Sequence, residues 1–188
     1  MRRLGFLALI IPLSGCWAGD SFYAASEGVA AIPAGKYRVH NSYDPTATGI
    51  DIERQDREFA ERINISYGAD GRAIIEGYEG GDESKSTLVK LGDQPGLYLV
   101  QTDFGASIQK VGSAFYALVN LTPNGYLLAI PKCDQKRAKF YDRAIVSGLL
   151  VGKPVCKFNT RAELETAMLD YAKDPISWTE YRRVKKRS

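Results

Sequence analysis

The chain has 188 residues, of which 45% are hydrophobic and 11% aromatic. This composition excludes a disordered chain and is enough for one domain with a sizeable core. The formal net charge of +3 is unevenly distributed, because five cations fall within the last seven residues. Without them and without two arginines near the start, acidic residues outnumber basic ones, which is not typical of a nucleic-acid-binding protein.

The first sixteen residues predict an export signal. Arg2 and Arg3 precede an apolar run at residues 4–12, which is shorter than the roughly 20 residues that a membrane-spanning helix needs. Residues 13–16 then read Leu-Ser-Gly-Cys. This ending resembles the lipobox of bacterial lipoproteins, in which an aliphatic residue and two small residues precede a cysteine. An ordinary cleaved signal and a buried N-terminal helix are the alternatives.

The resemblance implies a location and an anchor, but no activity. It implies that residues 1–15 are a signal peptide and that Cys16, linked to diacylglycerol, becomes the mature N-terminus. Several acyl chains on one residue give stable anchoring. Trp17 stands where such proteins often carry an aspartate that retains them in the inner membrane. The expected location is therefore the bacterial cell envelope, on the outer membrane and exposed to the periplasm.

The next segment, residues 16–34, is rich in small residues and predicts a lipidated tether. Phe22, Tyr23 and Val29 could still pack on the folded body. We expect a single β-rich domain over residues 35–176 and a basic tail over residues 177–188.

The body begins with a predicted strand at residues 36–40, where polar and apolar residues alternate. Residues 50–62 fit a strand or a helical turn. Three hairpins follow, with turn glycines at Gly71, Gly96 and Gly125. Their regular spacing predicts an antiparallel meander that forms a curled sheet or a small barrel.

The C-terminal third contains the clearest helix of the sequence. Residues 134–147 fit a short helix or an irregular segment, and residues 149–158 predict a further strand. A helix is predicted over residues 160–173, because Thr160 and Glu163 form a capping box. Its apolar stripe predicts a face packed on the sheet, formed by Leu164, Met168 and Tyr171. The fold class is therefore mainly β with a C-terminal helix packed on it.

The remaining cysteines predict a disulfide bond. Cys133 and Cys156 are an even pair in a chain expected to reach an oxidising compartment. Two free buried thiols are the alternative. We expect no metal site and no cofactor, because His40 is the only histidine and no Cys-x-x-Cys spacing occurs.

The motifs that suggest an enzyme are incomplete. Ser107 and Lys110 match the Ser-x-x-Lys of serine acyl-enzymes, but the companion motifs are missing. Residues 148–153 resemble a phosphate loop with one residue too few, and Pro154 stands where a magnesium-binding hydroxyl belongs. We therefore expect that the protein is not an enzyme.

Two groups of residues suggest binding. Tyrosines recur through the predicted meander and either fill its core or line a groove for a ligand or partner; they are Tyr67, Tyr78, Tyr98, Tyr116 and Tyr126. The basic tail either contacts an anionic surface or is a disordered solubilising end. Its cations are Arg182, Arg183, Lys185, Lys186 and Arg187.

Together these features predict an envelope lipoprotein with a non-enzymatic binding or structural role. The alternative is a barrel that binds a small apolar or amphipathic ligand, as lipocalin-like exported proteins do. That resemblance lies in the architecture alone. A large cavity inside the barrel would favour the alternative, and a filled core with an exposed apolar patch would favour the first hypothesis.

Overall fold

The computed structural model of the chain describes residues 17–42, 62–77, 83–103, 112–131, 156–173 and 178–184. These residues form ten strands, one α-helix and a single 3-10 turn at Ala25–Glu27. The elements are β1 (Trp17–Gly19), β2 (Gly35–Ser42), β3 (Arg62–Tyr67), β4 (Ala73–Gly77), β5 (Ser84–Lys90), β6 (Leu97–Asp103), β7 (Ala114–Thr122), β8 (Gly125–Ala129), β9 (Cys156–Phe158), α1 (Arg161–Ala172) and β10 (Thr179–Arg183).

Eight of these strands close into an antiparallel barrel. Strands β2 to β8 follow one another as a meander, and β10 fills the gap between β8 and β2. Beside this ring, β1 pairs antiparallel with the first half of β7, and β9 pairs parallel with β1. The prediction of a mainly β fold, with an antiparallel meander that forms a small barrel, is confirmed.

Alternation along the strands divides the buried residues into two layers. On β6, Leu97 and Leu99 belong to the layer that contains the helix, whereas Val100 belongs to the layer enclosed by the barrel. The helix therefore packs on the outside of the barrel, and a second apolar layer lies inside it. The enclosed layer also contains Ile65 and Tyr126.

Helix α1 begins and packs as its sequence predicts. The hydroxyl of Thr160 accepts a hydrogen bond from the backbone amide of Glu163 at 3.2 Å, which satisfies one of the free donors of the first turn. The predicted apolar face is buried against the sheet. Its members are Leu164, Met168 and Tyr171, joined by Ala167.

A polar cluster fastens α1 to the segment that precedes β2. The Arg161 guanidinium contacts Glu27 at 2.6 Å and Glu165 at 2.9 Å, and it lies 4.3 Å from the centre of the Tyr23 ring. The Tyr23 hydroxyl donates to Glu165 at 2.9 Å. Burial, followed by the Glu165 carboxylate, raises the pKa of Tyr23, so this hydroxyl stays a donor. The segment before β2 is thus part of the folded body.

The predicted tether over residues 16–34 is therefore wrong for the residues that the structure describes. Trp17 is only 1% exposed, and Tyr23 and Ile32 are also buried. Trp17 and its two small neighbours form β1, between β7 and β9. A strand of three residues is too short to show alternation, which is why the sequence pattern missed it.

The predicted tail over residues 177–188 is also partly wrong. Thr179–Arg183 is strand β10, which closes the barrel, and Tyr181 points into the enclosed layer. The Arg182 guanidinium forms an ion pair with Glu180, with N–O distances of 2.9 and 3.1 Å. Two of the predicted tail cations, Arg182 and Arg183, are therefore held by the sheet.

Several predictions fall on residues outside the described ranges. These are the signal and Cys16, most of residues 50–62, Ser107 with Lys110, residues 132–155, and the cations at 185–187. Cys156 is buried and disulfide-bonded. Because Cys133 lies in an undescribed range, the pairing of Cys133 with Cys156 stays a prediction.

Candidate functional site

An open cleft of about 1110 Å³ lies on the barrel. It is bordered by the start of β2, the end of β10 and the turn between β7 and β8. The segment before β2 and the outer face of β3 complete its walls. Its polar lining comes from four separate parts of the chain. The residues concerned are Lys36, Asn64, Thr122, Asn124, Arg182 and Arg183.

Backbone hydrogen bonds fix the position of these walls. The Arg183 amide donates to the Asn124 carbonyl at 2.9 Å, and the Val184 amide donates to the Lys36 carbonyl at 2.8 Å. A Cβ atom at Gly125 would lie 1.9 Å from the Tyr181 carbonyl oxygen, so this close approach of β8 to β10 requires glycine. The end of β10 is therefore held between the turn and β2.

The Arg183 side chain is positioned by Gly35, the first residue of β2, and by Ala34 just before it. Its Nη2 donates to the Ala34 carbonyl at 2.8 Å. Gly35 has a φ of 149°, and a Cβ there would lie 3.2 Å from the Arg183 Nε. Glycine at this position therefore provides both the backbone conformation and the space that the guanidinium occupies.

The cleft is positively charged. Lys36, Arg182 and Arg183 line it, and none of the described residues in its lining is acidic. Glu180 compensates Arg182, whereas Arg183 pairs with no carboxylate in the described part of the chain. Thr122 also lines the cleft, and its buried hydroxyl has no hydrogen-bond partner among the described residues. The site thus offers positive charge and hydrogen-bond donors.

Three aromatic rings pack together in the barrel interior next to the cleft. The Tyr126 ring lies 4.9 Å from that of Tyr181 and 5.3 Å from that of Tyr37, measured between centroids. The Tyr37 hydroxyl donates to the Pro33 carbonyl at 2.6 Å, and burial raises the pKa of Tyr37. The three rings therefore pack against one another at the end of the barrel next to the cleft.

The recurring tyrosines are core residues where the structure describes them. Tyr116 and Tyr126 are buried, and Tyr67 and Tyr98 pack against the enclosed layer. Tyr78 lies outside the described residues. The interpretation as core, and not as a groove lining, is the one that the structure supports.

A second polar cluster joins the end of β6 to the segment after β1. The Ser21 hydroxyl donates to Asp103 at 2.6 Å and lies 3.2 Å from the Ser113 hydroxyl. Arg72 approaches the other Asp103 oxygen at 3.6 Å. Among the described residues no histidine, cysteine or lysine takes part in these contacts, and the Asp103 carboxylate is held by Ser21, Gln101 and Arg72. We interpret this cluster as a structural tie.

The structure brings together only part of what the sequence predicted for binding. Arg182 and Arg183 line the cleft, whereas Cys16, Cys133 and the cations at 185–187 lie outside the described residues. Sequence reasoning missed Lys36, Thr122 and Asn124, for which no motif gives a signal. Across the described ranges, no group of three or more His, Cys, Asp or Glu side chains is placed to hold a metal ion.

Comparison of the chain with protein-family models, with curated proteins and with solved structures gives no significant match. Within the described part of the chain, no helix combines the length and the apolar character needed to cross a membrane.

Proposed function

We propose that the chain is a lipid-anchored protein of the bacterial cell envelope that binds a partner and is not an enzyme. The open cleft carries the binding part of this proposal. Its described lining holds cations and amides but no carboxylate, imidazole or thiol, the groups that most often serve as general acids, bases or nucleophiles. Such a lining suits recognition of an anionic partner.

The anchor part of the proposal rests on the Leu-Ser-Gly-Cys ending of the signal. Because strand β1 starts at Trp17, a lipid on Cys16 would be attached directly next to the sheet. With no tether between them, the barrel would remain close to the membrane surface. The residue after the cysteine is not aspartate, which favours an outer-membrane location.

Replacing Cys16 with serine is expected to stop processing of the precursor or to release the protein into the soluble fraction. The serine hydroxyl cannot form the thioether link to diacylglycerol, so the chain loses its anchor. Cell fractionation and mass spectrometry of the mature N-terminus measure the change. The matched control is Ser14→Ala, which keeps a small residue in the signal and should leave anchoring intact. An unmodified wild-type chain that begins at Ala18 or later would contradict the proposal.

A second candidate function is a lipocalin-like barrel that binds a small apolar or amphipathic ligand. The closed eight-stranded antiparallel barrel is the observation that favours it. Saturable binding of a fluorescent fatty acid at one site per chain would support this function. In that case Arg183→Ala should leave the affinity unchanged, because Arg183 lies on the cleft and not among the enclosed apolar residues.

A further inference from the structure

We infer that the cleft at the start of β2 and the end of β10 binds the phosphate group of an organic phosphate. This inference deepens the proposed binding function and is independent of the lipid anchor. Four observations support it: the charge of the lining, the number of its donors, the rigidity of its walls and its size.

The charge of the lining favours an anion. Lys36, Arg182 and Arg183 line the cleft; Glu180 compensates Arg182, whereas Arg183 pairs with no carboxylate among the described residues. Arg183 makes a single hydrogen bond to a backbone carbonyl, which leaves other N–H groups of its guanidinium for a ligand. Guanidinium groups such as that of Arg183 bind phosphate oxygens through two parallel N–H bonds.

The number of donors favours phosphate over a carboxylate. Besides the cations, Asn124 presents an amide in the exposed turn, and Thr122 lines the same wall with its hydroxyl buried. Asn64 adds less, because its side-chain nitrogen donates to Glu76 at 3.3 Å. A carboxylate has only two oxygens, whereas a phosphate monoester has three that carry the charge and can accept from several sides.

The walls of the cleft are fixed before any ligand binds. Because Gly35 has no Cβ, it leaves space for the Arg183 guanidinium, and the Ala34 carbonyl accepts a hydrogen bond from that guanidinium. Backbone bonds from Arg183 and Val184 attach the end of β10 to the turn and to β2. A ligand would therefore meet a cation that has already lost much of its rotational freedom, which reduces the entropic cost of binding.

The size of the cleft indicates that the phosphate carries an organic group. A volume of about 1110 Å³ greatly exceeds that of a phosphate ion. Part of the wall is apolar, formed by Pro33, Pro123 and the exposed Val184. A glycerol phosphate monoester, free in solution or as the headgroup of phosphatidic acid, has this combination of a charged end and a less polar body.

The experiment uses the full chain with Cys16→Ser as background, so that acylation cannot mask binding. One arm titrates glycerol 3-phosphate by calorimetry, and the other measures sedimentation with vesicles that contain phosphatidic acid or only phosphatidylcholine. In each arm Arg183→Ala is compared with Lys173→Ala, a control that removes one charge from a side chain 72% exposed at the end of α1. We expect Arg183→Ala to weaken binding about tenfold or more, and Lys173→Ala to change it less than about twofold.

The arms separate the two sources of the phosphate. Binding of glycerol 3-phosphate indicates a soluble ligand, and binding to phosphatidic acid vesicles alone indicates a headgroup. Failure of both probes to bind, or equal losses in the two variants, would overturn the inference. Should Arg183→Ala fail to fold, amide shifts of the background protein with glycerol 3-phosphate must map to residues 34–36 and 122–125. Shifts elsewhere would count against the cleft, while the fractionation result for Cys16 would be unaffected.

Discussion

Replacing Tyr126 with alanine is expected to lower the free energy of unfolding by about 3–5 kcal/mol. Tyr126 is only 3% exposed and lies directly opposite Tyr181 in the pairing of β8 with β10. Its ring stacks on that of Tyr181 and meets that of Tyr37 edge-on. Truncation would leave a cavity among rigid strands, which relax only partly. Urea denaturation of the purified variant measures the loss.

The same substitution distinguishes a filled barrel from one with space for a ligand. Tyr126→Phe keeps the ring and removes only the hydroxyl, so it should cost clearly less than Tyr126→Ala. A loss below about 1 kcal/mol for Tyr126→Ala would show that the interior tolerates empty space. That result would favour the lipocalin-like candidate over binding in the outer cleft.

The meander could be predicted because its information is local. Each of the three hairpins contains two alternating segments and a turn glycine within about 25 residues, and all three are present in the barrel. The helix is equally local, since Thr160 caps it and its apolar face repeats at the helical period. Periodicity and turn chemistry act over the same short distances, so a sequence displays both.

The strands that complete the sheet could not be predicted, because their stability comes from distant partners. Strand β1 has three residues and is stabilised by β7 and β9, which follow it by about 100 residues or more. Strand β10 reads as a basic terminus, yet it inserts between β8 and β2 and aligns Tyr181 with Tyr126. Charge composition describes the exposed side chains of such a segment and does not indicate its pairing.

The cleft could not be predicted from the sequence either, because the residues that line it come from distant parts of the chain. The Arg183 guanidinium contacts the Ala34 carbonyl, a residue 149 positions earlier in the chain. Thr122 and Asn124 belong to a turn that the sequence identifies only as a hairpin connection. Local patterns indicate that Arg183 is a cation near the terminus. Only the closure of the barrel places it beside Gly35 and gives it a role in a site.

The second large loss of stability is expected from a substitution in the interface between α1 and the barrel. Replacing Met168 with alanine is expected to lower the free energy of unfolding by about 2–5 kcal/mol. Met168 is 0% exposed and belongs to the layer between helix and sheet that also contains Trp17 and Phe158. The loss combines the removed apolar contacts with the cavity left behind, and urea denaturation measures it.

Two control variants test whether this loss comes from the interface. Met168→Leu nearly conserves volume and should cost less than about 1.5 kcal/mol. Thr166 lies on the exposed face of the same helix, two residues from Met168. Replacing Thr166 with alanine should change the free energy of unfolding by no more than about 0.5 kcal/mol. If Met168→Ala cost as little as Thr166→Ala, the helix would contribute little to the barrel. The Arg161 contacts with Glu27 and Glu165 would then have to hold it in place with surface ion pairs, which are individually worth about 0–1 kcal/mol.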